Sequence, residues 1–242
     1  VCPLVFLAGF VDAIAGGGGL ISLPAYMFAG IPVHHAIATN KLSSATGTAV
    51  STWHLVKSKC VDISLVPGTV ACAIVGSIAG ANLALIISDK VLKTVLVFVL
   101  PVVAFCVLRD KDLKPVIPEG FTRKKQYLIM AACSFVIGIY DGFYGPGTGT
   151  FLLIMFMGLA HLTSMESAAN TKILNLSSNV CSMVTFLLGG HILLLLGLTA
   201  SVFSIAGHYA GAGMVLKNGT KVIRPIILVV LALLFIKIIF NL

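Results

Sequence analysis

Charge is scarce in this sequence. Asp, Glu, Lys and Arg together supply 10% of its 242 residues, against about a quarter in a typical water-soluble domain. Such a thin supply excludes a solvated globular surface. With 58% of residues hydrophobic and a mean hydropathy of +1.08, the chain reads as an all-α, polytopic membrane protein. Cysteine is present but unpatterned: residues 2, 60, 72, 106, 133 and 181 show neither CxxC nor metal-type spacing. That excludes a disulfide framework and leaves them as small buried hydrophobes. Catalytic signatures are missing too. No G-x-S-x-G or H-E-x-x-H occurs, and GGGGLIS lacks the G-K-[ST] ending of a nucleotide-binding loop, so the reading is of a non-enzyme without cofactor or metal.

What the sequence does have is apolar length. Runs cover residues 1–30, 36–56, 66–87, 91–108, 126–160, 164–188, 192–215 and 222–240, and about 20 apolar residues suffice to cross a bilayer. VCPLVFLAGF, without a basic flank or A-x-A site, is expected to open the first of these segments. The long polar stretch RDKDLKPVIPEGFTRKK, 109–125, is expected to be a charged cytoplasmic linker between units 1–108 and 126–242. The net charge of +8 lies mainly in connections, where it sets membrane orientation and implies no nucleic-acid partner.

The two units repeat one another. GFVDAIAGGGGLISL from Gly9 resembles GIYDGFYGPGTGTFLL from Gly138, aligning Asp12 with Asp141 and Gly16 with Gly145 at an offset of 129. TNKLSS from Thr39 resembles NTKILNLSSN from Asn170, pairing Lys41 with Lys172, and GSIAGA from Gly76 meets GHYAGA from Gly207, both at offset 131. Duplication in a membrane chain marks secondary transporters, whose substrate site lies between repeats at broken helices.

Lys and Arg counts bear on topology. Eight simple crossings would divide the connecting cations nine to five, whereas segments that re-enter at the glycines invert the repeats and divide them eleven to three. The stronger bias favours inverted repeats with both termini outside the cytoplasm. Against it, residues 126–142 are long enough, at about 1.5 Å per residue, to cross most of the core alone.

The glycine runs weaken helices where an unpaired amide costs most, which is tolerated only inside protein or beside a watery cavity. Gly16, Gly17, Gly18 and Gly19 in the first repeat, and Gly145, Gly147, Thr148, Gly149 and Thr150 in the second, are therefore candidate anion-binding residues. Their N–H groups open half-helices with the dipole behind them. Small-residue pairs such as Gly76 with Gly80, or Gly207 with Gly211, read as helix packing instead.

Lys41 and Lys172 each fall within an apolar segment, where a charge costs at least about 2.5 kcal/mol and usually marks a substrate path. Around them stand Asn40 in one repeat and Asn170, Thr171 and Asn175 in the other, which complete the candidate substrate-binding set. Asp12 and Asp141 each precede a break by one helical turn. They are candidate proton-coupling groups, while pairing with the lysines or a purely structural ion pair remains equally open. His34, His35, His161 and His191 lie near segment ends without acidic or thiol companions and read as interfacial. Trp53 reads as a boundary anchor.

DAIAGGGGLISLP with ATNKL, and DGFYGPGTGTFL with TKILNLSSN, resemble the sulfite exporter TauE/SafE (TSUP) family of four-plus-four membrane proteins. The resemblance covers nearly the whole chain. It implies a bacterial inner-membrane transporter of sulfite, sulfonates or other small sulfur-containing or organic anions, with Gly16 to Gly19, Lys41, Gly145 to Thr150 and Lys172 at its core. Pro146 and two threonines replace part of the second glycine run, so the half-sites are expected to differ. The expected partners are thus a small anionic substrate, membrane lipid and a further copy in a homo-oligomer. An anion channel, selecting by charged rings and helix dipoles without alternating access, is the alternative. A membrane assembly factor is the third reading.

Overall fold

The computed structural model describes residues 1–57, 65–88 and 120–218, with residues 221, 222, 225, 226 and 229 beyond them. Within these the secondary structure is helical: α1 (Cys2–Ala15), α2 (Gly19–Phe28), α3 (Val33–Lys57), α4 (Val66–Ile86), α5 (Arg123–Phe143), α6 (Thr148–Gly158), α7 (Ser164–Leu188) and α8 (Leu194–Asn218). The expected segment 91–108, most of 222–240 and most of the linker lie outside the described residues. Helix α5 starts three residues inside the stretch read as linker, because Thr122 caps it by accepting the Lys125 amide at 3.3 Å.

Each glycine run divides an expected segment into two helices. Helix α1 ends at Gly16, whose φ of +77° turns the chain so that Gly18 comes to lie against Ala8 and Asp12. Left-handed backbone of this kind is open to glycine at little cost. The second run turns at Gly145 and Gly147, with φ of +97° and +81°. The chain then folds fully back: Gln126, near the start of α5, donates to the Ala160 carbonyl just after α6 at 2.7 Å. Pairs α1–α2 and α5–α6 are therefore helical hairpins with glycine tips.

Small residues set the closest helix contacts, and their register gives each helix its direction. Gly207 abuts the Phe6 carbonyl and Gly211 the Phe10 carbonyl, so α1 and α8 run the same way. Gly76 and Gly80 meet the carbonyls of Phe135 and Ile139, so α4 and α5 also run the same way. Gly197 packs on Leu42 and Gly47 on His208, which aligns α3 with α8. Ser77 bonds the Ser178 carbonyl while Gly189 packs on Leu85, which aligns α4 with α7. By contrast Lys41 reaches Asn179 and Thr52 reaches the Lys172 carbonyl, so α3 and α7 are antiparallel. Helices α1, α3 and α8 thus point one way, and α4, α5 and α7 the other.

Polarity is inverted relative to a water-soluble fold. Leu195, Leu198, Val202 and Val75 are exposed, whereas Lys41, Lys172, Asp141 and Asn175 are buried. Among the described residues three helices, α4, α5 and α8, are long and apolar enough to cross a membrane. Helices α3 and α7, of 25 residues each, have the length but carry polar side chains inward, where other helices shield them.

Candidate functional site

The two breaks meet. Gly149 donates its amide to the Gly16 carbonyl at 3.2 Å, and the Thr150 hydroxyl donates to the Ala15 carbonyl at 2.7 Å. A helix that stops at Ala15 leaves its last carbonyls without intrahelical donors. The opposite repeat supplies them. A Cβ at Gly16 would lie 2.2 Å from the Gly149 Cα, so the approach depends on both residues lacking side chains.

Several break amides that the sequence offers to an anion are engaged by the protein itself. Gly16 bonds the Asp12 carbonyl at 2.8 Å, Gly18 bonds Asp12 Oδ1 at 3.2 Å, and Gly145 bonds the Tyr140 carbonyl at 3.2 Å. Thr148 directs both its amide and its hydroxyl to the Gly145 carbonyl. These groups shape the tips and hold Asp12.

The four intramembrane charges pair crosswise between repeats. Lys41 Nζ lies 2.9 Å from Asp141 Oδ1 and donates to Asn179 Oδ1 at 3.0 Å; both members of the ion pair are 2% exposed. Ser178 donates to the other Asp141 oxygen. Lys172 Nζ donates to the Asp12 carbonyl and lies 3.4 Å from Asp12 Oδ2. His208 Nε2 approaches the same Oδ2 at 3.0 Å. Each lysine of one repeat is thus neutralised by the aspartate of the other, as burial requires: an unpaired ion here would carry a desolvation penalty of several kcal/mol.

Between the repeats lies an empty space of about 260 Å³ lined by Asp12, Gly16, Gly19, Asn40, Lys41, Ser44, Asp141, Gly145, Asn175 and Asn179. Of the residues singled out from sequence, Gly17, Gly18, Gly147, Thr148, Gly149, Thr150, Asn170, Thr171 and Lys172 stand outside this lining. Lys172 is turned to Asp12, and Asn170 bonds the Glu166 carbonyl within its own helix. Asn40 lines the space and accepts from Ser22 at 2.6 Å. Sequence reading missed Asn179 and His208. Asn179 stands one helical turn beyond Asn175, an i, i+4 spacing that places both on one face. His208 sits in GHYAGA, which reads as packing.

A lipid-compatible exterior around buried, cross-paired charges and two interrupted hairpins defines a helical membrane transport protein. The model of the family described as sulfite exporter TauE/SafE matches residues 1–238, and the chain belongs to that family. It is 34% identical over 243 residues to the probable membrane transporter protein YfcA of Escherichia coli K12, covering 98% of this chain and 88% of that protein. The probable membrane transporter protein ORF9 of Sinorhizobium sp is 34% identical over 93% of this chain and 85% of its own length. A probable membrane transporter protein of Haemophilus influenzae is 32% identical over 98% and 92%. No solved structure matches the chain.

Proposed function

We propose that this membrane transporter moves a small sulfur-containing or organic anion of the sulfite or sulfonate type across the bacterial inner membrane, with transport and not catalysis as its activity. The observation that carries the reading is Lys41, an ammonium 2% exposed on the wall of the space between the repeats. Asn40, Asn175 and Asn179 add neutral polar groups around that wall. The family description, sulfite exporter, supports the sulfur oxyanion.

The helix directions support an inverted arrangement. α1, α3 and α4 point opposite to their counterparts α5, α7 and α8, as repeats related by an axis in the membrane plane would. Alternating access then follows from rocking one half against the other around the crossed ion pairs. An entering anion competes with Asp141 for Lys41, so occupancy loosens one of the ties between the halves.

Uptake of labelled sulfite, sulfoacetate and methanesulfonate into proteoliposomes tests this. At least one should saturate, and Lys41→Ala should abolish its uptake while the purified protein stays folded. Undiminished flux of every transported anion in Lys41→Ala overturns the site, and currents at channel rates overturn alternating access.

A further inference from the structure

An asparagine amide can turn either end to a neighbour, and for Asn179 the neighbour decides which. Its side chain meets Lys41 Nζ at 3.0 Å. An ammonium has hydrogens and no lone pair, so the amide presents Oδ1 to it and Nδ2 turns the other way. There Nδ2 meets the Asn175 side chain at 3.5 Å. Two amino groups would repel across that gap, so Asn175 presents Oδ1 in its turn. The amino group of Asn175 is left over, and it donates to no group among the described residues.

Asn175 and Asn179 are 3% and 4% exposed, and both line the space beside Lys41. An amino group so deeply buried has lost its hydration with no protein acceptor in return, and only an acceptor that enters the space can offset that loss. We infer that Asn175 binds an oxygen of the transported anion, and that Asn179 is a positioning residue which aims it, the Lys41 ammonium fixing the orientation of both amides in series. This rests on the transport reading above and adds to it the residues that read the anion's oxygens.

Charge and direction are divided between side chains. Lys41 supplies a point charge, which attracts any anion. The amino hydrogens of Asn175 only donate, so they match an oxygen that carries lone pairs and no hydrogen, as every oxygen of a sulfonate or carboxylate does. An ammonium head would meet hydrogens there and is turned away.

The relay exists in one half only. At offset 131, Asn179 corresponds to Thr48 and Asn175 to Ser44. Thr48 is fully buried and its hydroxyl has no partner. It therefore does not hold Lys172, whose ammonium goes to Asp12 instead. The longer amide keeps one lysine at the space, and the shorter hydroxyl leaves the other to its aspartate.

Two measurements on the full-length protein test this. In proteoliposomes, Asn175→Leu should raise KM for methanesulfonate uptake about tenfold, the scale of one hydrogen bond to a charged group, with kcat changed far less. Asn179→Thr, which carries the first repeat's residue into the second, should do the same. Because one residue acts through the other, the double variant should have a KM no higher than the worse single variant. A KM equal to the product of the two effects makes Asn179 an independent ligand and overturns the relay, and an unchanged KM in Asn175→Leu overturns the oxygen contact. In nanodiscs of protein with ¹⁵N-labelled asparagine, the side-chain NH2 resonance lost in Asn175→Leu should shift saturably as methanesulfonate is added, and should stay in place in Asn179→Thr. Should Asn175→Leu not fold, Asn175→Ser, matching Ser44, assigns the same resonance and serves in the uptake series. A resonance left in place by methanesulfonate, sulfite and acetate in separate titrations overturns the inference even where uptake proceeds. A saturable shift without uptake of any anion overturns the transport reading alone.

Discussion

The amide of Gly149 donates to the carbonyl of Gly16 across 3.2 Å, so the interrupted helix of one repeat completes the interrupted helix of the other. Gly16→Ala therefore meets two penalties: a left-handed residue with a Cβ costs about 1–2 kcal/mol, and overpacking adds about 1–3 kcal/mol. Thermal melting of the detergent-purified protein should fall accordingly. Gly213→Ala, inside α8 with open space around it, should hold melting or raise it, since alanine is the better helix former by up to about 1 kcal/mol. Equal behaviour of the two variants would remove the contact as a structural requirement.

Lys41 and Asp141 neutralise one another while buried. Asp141→Asn strands the ammonium and should cost about 3–5 kcal/mol, whereas Lys41→Met with Asp141→Leu should recover most of that, because replacing a buried pair by apolar groups is often neutral. The double variant should melt near wild type yet take up no anion. Recovered transport in that variant would detach the lysine from substrate binding.

Thr150 separates a structural hydroxyl from a substrate ligand. Its Oγ1 is committed to the Ala15 carbonyl at 2.7 Å, so Thr150→Val should destabilise by about 1 kcal/mol, with KM for the anion unaltered. Thr150→Ser keeps the hydroxyl and should restore melting. A large rise in KM for Thr150→Val at unchanged stability would make the hydroxyl a ligand.

Outside the spanning helices, His191 packs between His34 and His35, at ring separations of 6.0 and 5.3 Å. Burial, and then the neighbouring His35 and His34, hold its pKa below the ordinary histidine value. The unfolded chain then binds the proton more readily than the folded one, so this residue's contribution to stability falls as pH drops through about 6.5 and below. Melting measured from neutral pH to mild acid should show the decline, and His191→Gln should flatten it. An unchanged slope in the variant would place the acid sensitivity elsewhere.

The hairpins show how far local chemistry reaches. Four glycines in an apolar run are enough to locate a break, because no other residue makes a left-handed turn so cheaply. Which carbonyls those breaks would leave open, and that Thr150 and Gly149 of the other repeat would meet them, depends on contacts more than a hundred residues apart in sequence. Similarly, Lys41 and Lys172 stand out in sequence because ammonium groups are costly in hydrocarbon. Yet only Lys41 lines the space between the repeats, whereas Lys172 is turned onto Asp12. His208 was hidden because GHYAGA satisfies a small-residue packing pattern, and it packs as that pattern requires while its ring points at Asp12.

The sequence alone determined that this chain dissolves in a membrane, that it is one unit written twice, and that its helices break at glycines beside buried charge. Those properties follow from composition and local backbone freedom. Tertiary structure alone decided which charges are partners. Pairing each lysine with the aspartate of the opposite repeat needs α3 and α7 to run antiparallel between the hairpins. Coulomb attraction acts through space, and distance along the chain does not record it.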